Sequence, residues 1–138
     1  MHPMLLIVLG ATLLTVIGIA FGGTFLLRVA NGGVPANDLQ KTFFRAGHAH
    51  AGVLVTLGLL VAVLTHVAGA SPGWSAAGAI AVLTAAILVP LGFFLSVLGP
   101  NPARPGRMIA AVWFGAASLT AGLAVSGVAV LAEGIGAL

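Results

Sequence analysis

Charge is what this sequence has least of. Of 138 residues, five are Lys or Arg and two are Asp or Glu, so 5% are charged, where a soluble domain carries about a quarter. A water-solvated globular surface is excluded. Cysteine is absent as well, which removes disulfides, thiolate metal ligands and thiol nucleophiles together. The two acids, Asp38 and Glu133, both lie outside or at the edge of the apolar runs. No embedded carboxylate is therefore left for general acid–base work, for a Ser/His/Asp arrangement or for proton-coupled transport. A phosphate-cradling glycine loop ending in Gly-Lys-Ser/Thr is also missing. The net charge of +3 comes from five cations, too few to build the phosphate-neutralising surface of a nucleic-acid binder.

What remains is oil-soluble. Hydrophobic residues make up 60% of the chain and mean hydropathy is +1.22. Glycine, proline and the few charges divide it into four apolar stretches at about 3–27, 46–69, 74–98 and 108–132. Each is long enough to cross a hydrocarbon core of about 30 Å at about 1.5 Å per residue. The expected fold is all-α, a single integral-membrane domain over 1–138 folded as a four-helix transmembrane bundle. The first stretch lacks a Lys/Arg-rich leader and exceeds the usual signal-peptide core, so it reads as a retained helix.

Cation placement sets the expected orientation. Arg28, Lys41 and Arg45 fall in or beside the first connection, 28–45, and Arg104 and Arg107 in the third, 99–107. The turn at Ser71-Pro72-Gly73 has none. By the positive-inside rule both cationic connections face the cytoplasm, and both termini lie on the outer side of a multi-pass cell-membrane protein. Lys41, Arg45, Arg104 and Arg107 are then candidates for anionic lipid headgroups or an acidic partner surface.

Helices in lipid associate through small residues and polar contacts, since lipid tails are as apolar as leucine. Gly18 and Gly22 mark such a face in the first span; Gly47, Ala51, Leu54 and Gly58 mark one in the second; Ala111, Gly115, Ser118, Gly122 and Ser126 mark one in the fourth. Pro90 deprives the Ala86 carbonyl of its helical donor and predicts a bend in the third span. Glycine-rich faces beyond those one bundle needs favour a homo-oligomer or docking beside other membrane subunits.

Polar content concentrates at Phe43-Phe44-Arg45-Ala46-Gly47-His48-Ala49-His50-Ala51-Gly52. An imidazole at this depth needs a hydrogen-bond partner, a metal or a wet cavity. Residues two apart on a helix point about 200° apart, so only one of His48 and His50 can face the bundle. His50 lies near the Gly47, Leu54 and Gly58 side and is the expected inward ligand, with His48 left to reach the interface or a neighbouring subunit. His2 and His66 belong to the opposite membrane face, where they can pair. Met108, at the inner end of span four, offers a thioether.

The string His48-Ala49-His50-Ala51-Gly52-Val53-Leu54 resembles the His-x-His segment that opens a transmembrane helix in the catalytic subunit of haem-copper oxidase and nitric oxide reductase relatives. The resemblance spans seven residues, without that superfamily's distant histidines or twelve-span length. It implies that His48 or His50 ligates haem. As a whole the chain is similar to small four-span integral membrane proteins of bacteria. Two functional expectations follow. One is a non-enzymatic structural or accessory membrane protein that self-associates or docks with a larger complex. The other is a small haem- or metal-binding protein of electron transfer or sensing, built on His48 and His50 with His2, His66 and Met108 as further ligand candidates.

Overall fold

A computed structural model describes residues 1–138. The chain is all-helical: α1 (Pro3–Ala30), α2 (Asp38–Val67), α3 (Pro72–Leu95) and α4 (Ala110–Gly136), the last preceded by a 3-10 turn at Arg107–Ile109. All four helices are long and apolar enough to cross a membrane. Their polar side chains behave as an oily solvent demands. Thr12, Thr56, Thr65, Thr84 and Thr120 each donate the hydroxyl to the carbonyl four residues back, so no hydroxyl there needs water.

The helices start and stop where local chemistry allows, which shifts the boundaries read from hydropathy. α2 begins at Asp38, eight residues before the apolar run (46 − 38), because Asn37 and Gln40 form a capping box. The Asn37 side chain accepts from the Gln40 amide at 2.9 Å, and the Gln40 side chain accepts from the Asn37 amide at 3.0 Å. Lys41 and Arg45 are thus helical residues rather than loop residues. The first connection shrinks to 31–37, since α1 runs past Arg28 to Ala30. At the other end of α2, Gly69 takes φ +83°. The Gly69 and Ala70 amides donate to the His66 and Thr65 carbonyls at 3.1 and 3.0 Å, a Schellman closure that reverses the chain into α3. α3 continues through Pro90 to Leu95 and stops short of Leu98, whereas α4 extends past Ala132 to Gly136.

α3 is the central helix, packed between α2 and α4, with α1 laid against α2. The α3/α4 approach is nearly backbone to backbone. A Cβ on Gly122 would meet the Gly78 carbonyl oxygen at 2.9 Å, and one on Gly92 would meet the Val112 amide nitrogen at 2.7 Å. Gly115, Gly122 and Ser126 are buried, as their spacing predicts. Ser118 adds an interhelical bond, donating to the Ala81 carbonyl at 2.8 Å. On the other side Gly58 admits Leu83 and Gly47 admits Phe94, while Leu54, Val55, Ala85, Ala86 and Val89 form the layer between α2 and α3.

The first and third connections lie at one end of the bundle, with Arg28, Lys41 and Arg45 on the helix ends that flank the first and Arg104 within the third. Asn37 Nδ2 donates to Asn101 Oδ1 at 2.9 Å and to the Pro102 carbonyl at 2.8 Å. Gln40 Nε2 donates to the Val97 and Gly99 carbonyls, each at 3.1 Å. The residues that cap α2 therefore also tie the first connection to the third.

Candidate functional site

The seam between α1 and α2 is where packing and polar chemistry meet. α1 is held at its two ends. Near its start, Leu5 and Leu9 pack with Val61, Ala62, Ala79, Val82 and Leu83; near its finish, Val29 packs with Phe44 and Val97. Between Leu9 and Val29 no residue of α1 is buried. The middle of the seam is filled by the half-buried Ile19, packed against the layer between α2 and α3, and by the His48 imidazole. Its Nδ1 lies 3.6 Å from where a Cβ on Gly22 would sit, and its Nε2 lies 3.7 Å from the equivalent point on Gly23. Glycine at these two positions leaves the saddle that receives the ring. Beside it a cleft of about 530 Å³ opens, bordered by Thr15, Gly18, Phe25, Ala51 and Phe94.

His48 and His50 diverge as helix geometry requires, and each meets a neighbouring helix: His50 sits exposed at the α3 side rather than inside the bundle as the sequence suggests, and the half-buried His48 faces α1 at Gly22 and Gly23. Its ring makes no hydrogen bond within the chain, unlike those of His2 and His50. His50 is exposed and lies over Phe93 with ring centroids 5.3 Å apart. It does border the α3-facing side of α2, about 40° from Leu54, but at its rim. His50 Nδ1 donates to the Ala46 carbonyl at 2.7 Å; a carbonyl only accepts, so Nδ1 carries a proton, and Nε2 makes no hydrogen bond within the chain.

The remaining candidates are dispersed. His2 caps α1, its Nδ1 accepting from the Met4 amide at 3.2 Å. The packing of Leu5 against Val61 and Ala62 places the His2 end of α1 at the His66 end of α2, away from His48 and His50. Met108 lies in the turn before α4, its carbonyl facing Gly92, on the side of α3 turned to α4. His50 meets Phe93 on the side turned to α2, so Met108 and the histidines are not brought together. No three His, Asp or Glu side chains converge. Lys41 pairs with Asp38 at 3.5 Å on the surface. Arg45 Nε donates to the Lys41 carbonyl at 3.2 Å, and the two side chains border a cleft of about 260 Å³ with Leu26, Val29 and Ala30 of α1. Arg104 and Arg107 are exposed.

One further feature lies on α4 opposite its packed face. Ala117, Thr120, Ala124, Gly127, Leu131 and Gly134 are all exposed and recur at alternating spacings of three and four. Ala124 also borders a wholly apolar groove of about 440 Å³ shared with Trp74 and Val128. The same spacing rule that marks the inner row marks this outer one, and it is readable in the sequence. Of the two glycines that meet His48, Gly22 is marked by its spacing from Gly18, whereas Gly23 carries no such signal, because its role depends on which side of α2 receives α1. No protein-family model, no curated protein and no solved structure matches this chain.

Proposed function

We propose that this protein is a non-enzymatic accessory component of the cell membrane that self-associates, or docks with other membrane subunits, through the outward row of α4. The observation that carries this reading is the run Ala117, Thr120, Ala124, Gly127 and Gly134 on an exposed helix face. Small side chains every three or four residues let a second helix approach to backbone distance. The Thr120 hydroxyl is already bonded to Ala116 at 3.0 Å and presents its methyl. In this reading loops 31–37 and 96–106 face the cytoplasm and both termini face outward, as Arg28, Arg104 and Arg107 favour. Because the chain has no cysteine, Gly127→Cys gives an unambiguous test in reconstituted membranes. A disulfide-linked dimer is expected on mild oxidation, with none for Gly10→Cys on α1. Equal, slow cross-linking at both positions contradicts the reading.

A second reading is haem or metal binding, favoured by His50. The Nδ1 donation to Ala46 fixes the ring and leaves Nε2 without a partner in the chain, the arrangement in which metal-bound imidazoles are held. Within one chain only His50 would hold the group, and a second ligand would come from another copy or a partner. Bound haem would supply one-electron chemistry; the chain's own part is to orient Nε2 and exclude water with Phe93. Protein purified from haem-replete cells would then show a Soret band that is lost in His50→Ala. A colourless, metal-free preparation rules this reading out.

A further inference from the structure

The flank of α2 that runs beside α1 carries three kinds of surface in a fixed order. Lys41, Arg45, His48, Gly52 and Thr56 are spaced 4, 3, 4 and 4 apart, which keeps them within about 80° of one another on the helix. At the connection end, Lys41 and Arg45 border a small cleft whose other wall is Leu26, Val29 and Ala30 of α1. The hydrogen bond from Arg45 Nε to the Lys41 carbonyl holds the guanidinium base along the helix and leaves its terminal amino groups without a protein acceptor. One turn deeper stands the His48 imidazole, with no hydrogen-bond partner of its own. Its Nε2 lies toward Gly23, which shares a flank of α1 with Leu26 and Ala30, at spacings of three and four. Deeper still, Gly52 has nothing within 4 Å of where a Cβ would be, and with Val53, Thr56 and Leu60 it lines an apolar trough on the open face of α2, past the contact with α1. Thr56 adds no polar demand, since its hydroxyl donates to the Gly52 carbonyl at 2.9 Å.

Cation pair, single hydrogen-bonding group and apolar trough follow the order of parts in a phospholipid. The geometry points to an anionic phospholipid bound lengthwise along this flank of α2, with its headgroup end in the seam with α1 and its chain on the open face of α2. Its phosphate lies on Lys41 and Arg45, an acyl-ester carbonyl accepts from His48 Nε2–H, and a chain runs over Gly52 and Thr56. The scale agrees. Arg45 to His48 is a rise of about 4.5 Å, a headgroup-to-ester step, and Arg45 to Thr56 is about 16 Å, close to half of a core of about 30 Å. The ligand answers the two unmet demands of the seam, a cation pair whose only acid is the solvent-exposed Asp38 and an imidazole with no partner. The site is separate from the α4 row and from His50, so it holds whether or not either reading of the function does.

The test uses the full chain in nanodiscs of phosphatidylcholine containing a minority of phosphatidylglycerol, with lipids retained after release counted by native mass spectrometry. Retained phosphatidylglycerol is expected to exceed its bulk fraction. The Lys41→Ala/Arg45→Ala double variant is expected to lose about twenty-five-fold in relative affinity, at about fivefold for each cation near a membrane surface. His48→Leu should lose severalfold without reducing the number of lipids bound at saturation, and the equally cationic control Arg104→Ala/Arg107→Ala should retain wild-type binding. Circular dichroism confirms that each variant is folded; the substituted cations are surface residues, so the decisive pair does not depend on His48→Leu folding. No enrichment over phosphatidylcholine overturns the proposal, as does an equal loss in the Arg104/Arg107 control. Displacement of the lipid by millimolar inorganic phosphate also overturns it, because it reduces the site to a headgroup contact without the seam.

Discussion

The α3/α4 and α1/α2 contacts are built from the same residue types and come out differently. Along α3/α4, glycine meets backbone: Gly122 against the Gly78 carbonyl, Gly92 against the Val112 amide, with Ser118 bonded across to Ala81. Along α1/α2, the glycines at 22 and 23 meet an imidazole, and α1 is buried only at Leu5, Leu9 and Val29. A glycine pair therefore has two uses in a bilayer. Facing another small residue, it brings two backbones together and closes the interface. Facing a long polar side chain, it accommodates that side chain, and the helices part on either side of it into clefts open to lipid. The first contact is closed, and the second leaves a half-buried imidazole beside an open cleft.

Substitutions that add or remove a few atoms should separate the two uses. The largest effect is expected for Gly122→Leu, whose side chain has no space beside the Gly78 carbonyl and Val82. It should lower the unfolding free energy in detergent micelles by about 3 kcal/mol, whereas Gly18→Leu, where a Cβ meets nothing, should leave it unchanged. Comparable losses at both positions would show that the two interfaces do not differ as described. Next is Gln40→Ala, which removes half of the α2 capping box and leaves the Val97 and Gly99 carbonyls without their side-chain donor. A loss of about 2 kcal/mol is expected, together with faster proteolysis in 96–106. A variant as stable and as protease-resistant as wild type would mean that the two connections are not tied through this side chain. The smallest effect is Ser118→Ala, at about 0.6 kcal/mol, the usual worth of one hydrogen bond between membrane helices. A loss several times larger would move the source of α3/α4 stability from backbone approach to that bond.

The same contrast explains what the sequence discloses. Span number and the inner row of α4 are legible because hydropathy and three-to-four spacing are local properties: Gly115, Gly122 and Ser126 had to share a face, and in the bundle that face is buried. The start of α2 was also written locally, in Asn37-Asp38-Leu39-Gln40, but as a capping signal rather than a hydropathy one, so an apolar-run reading begins the helix at Ala46. The roles of His48 and His50 were not local. Periodicity separates the two rings, but which helix each ring meets, and how deeply, is set by where α1 and α3 dock around α2. His50, beside Leu54 on the helix, ends at the rim over Phe93 because α3 packs deepest at Gly47 and Gly58.

The account stands on a bilayer-spanning bundle with its first and third connections, and the cations on and beside them, at one end, joined through Asn37 and Gln40. The cysteine-free chain allows this to be measured one position at a time. Asn31→Cys, Ala103→Cys and Ser71→Cys are each exposed to a membrane-impermeant maleimide, first on intact cells and then on opened membranes. The predicted result is that Ser71→Cys labels on intact cells while Asn31→Cys and Ala103→Cys label only once the membrane is opened. Labelling of Asn31→Cys and Ala103→Cys from opposite sides would contradict it.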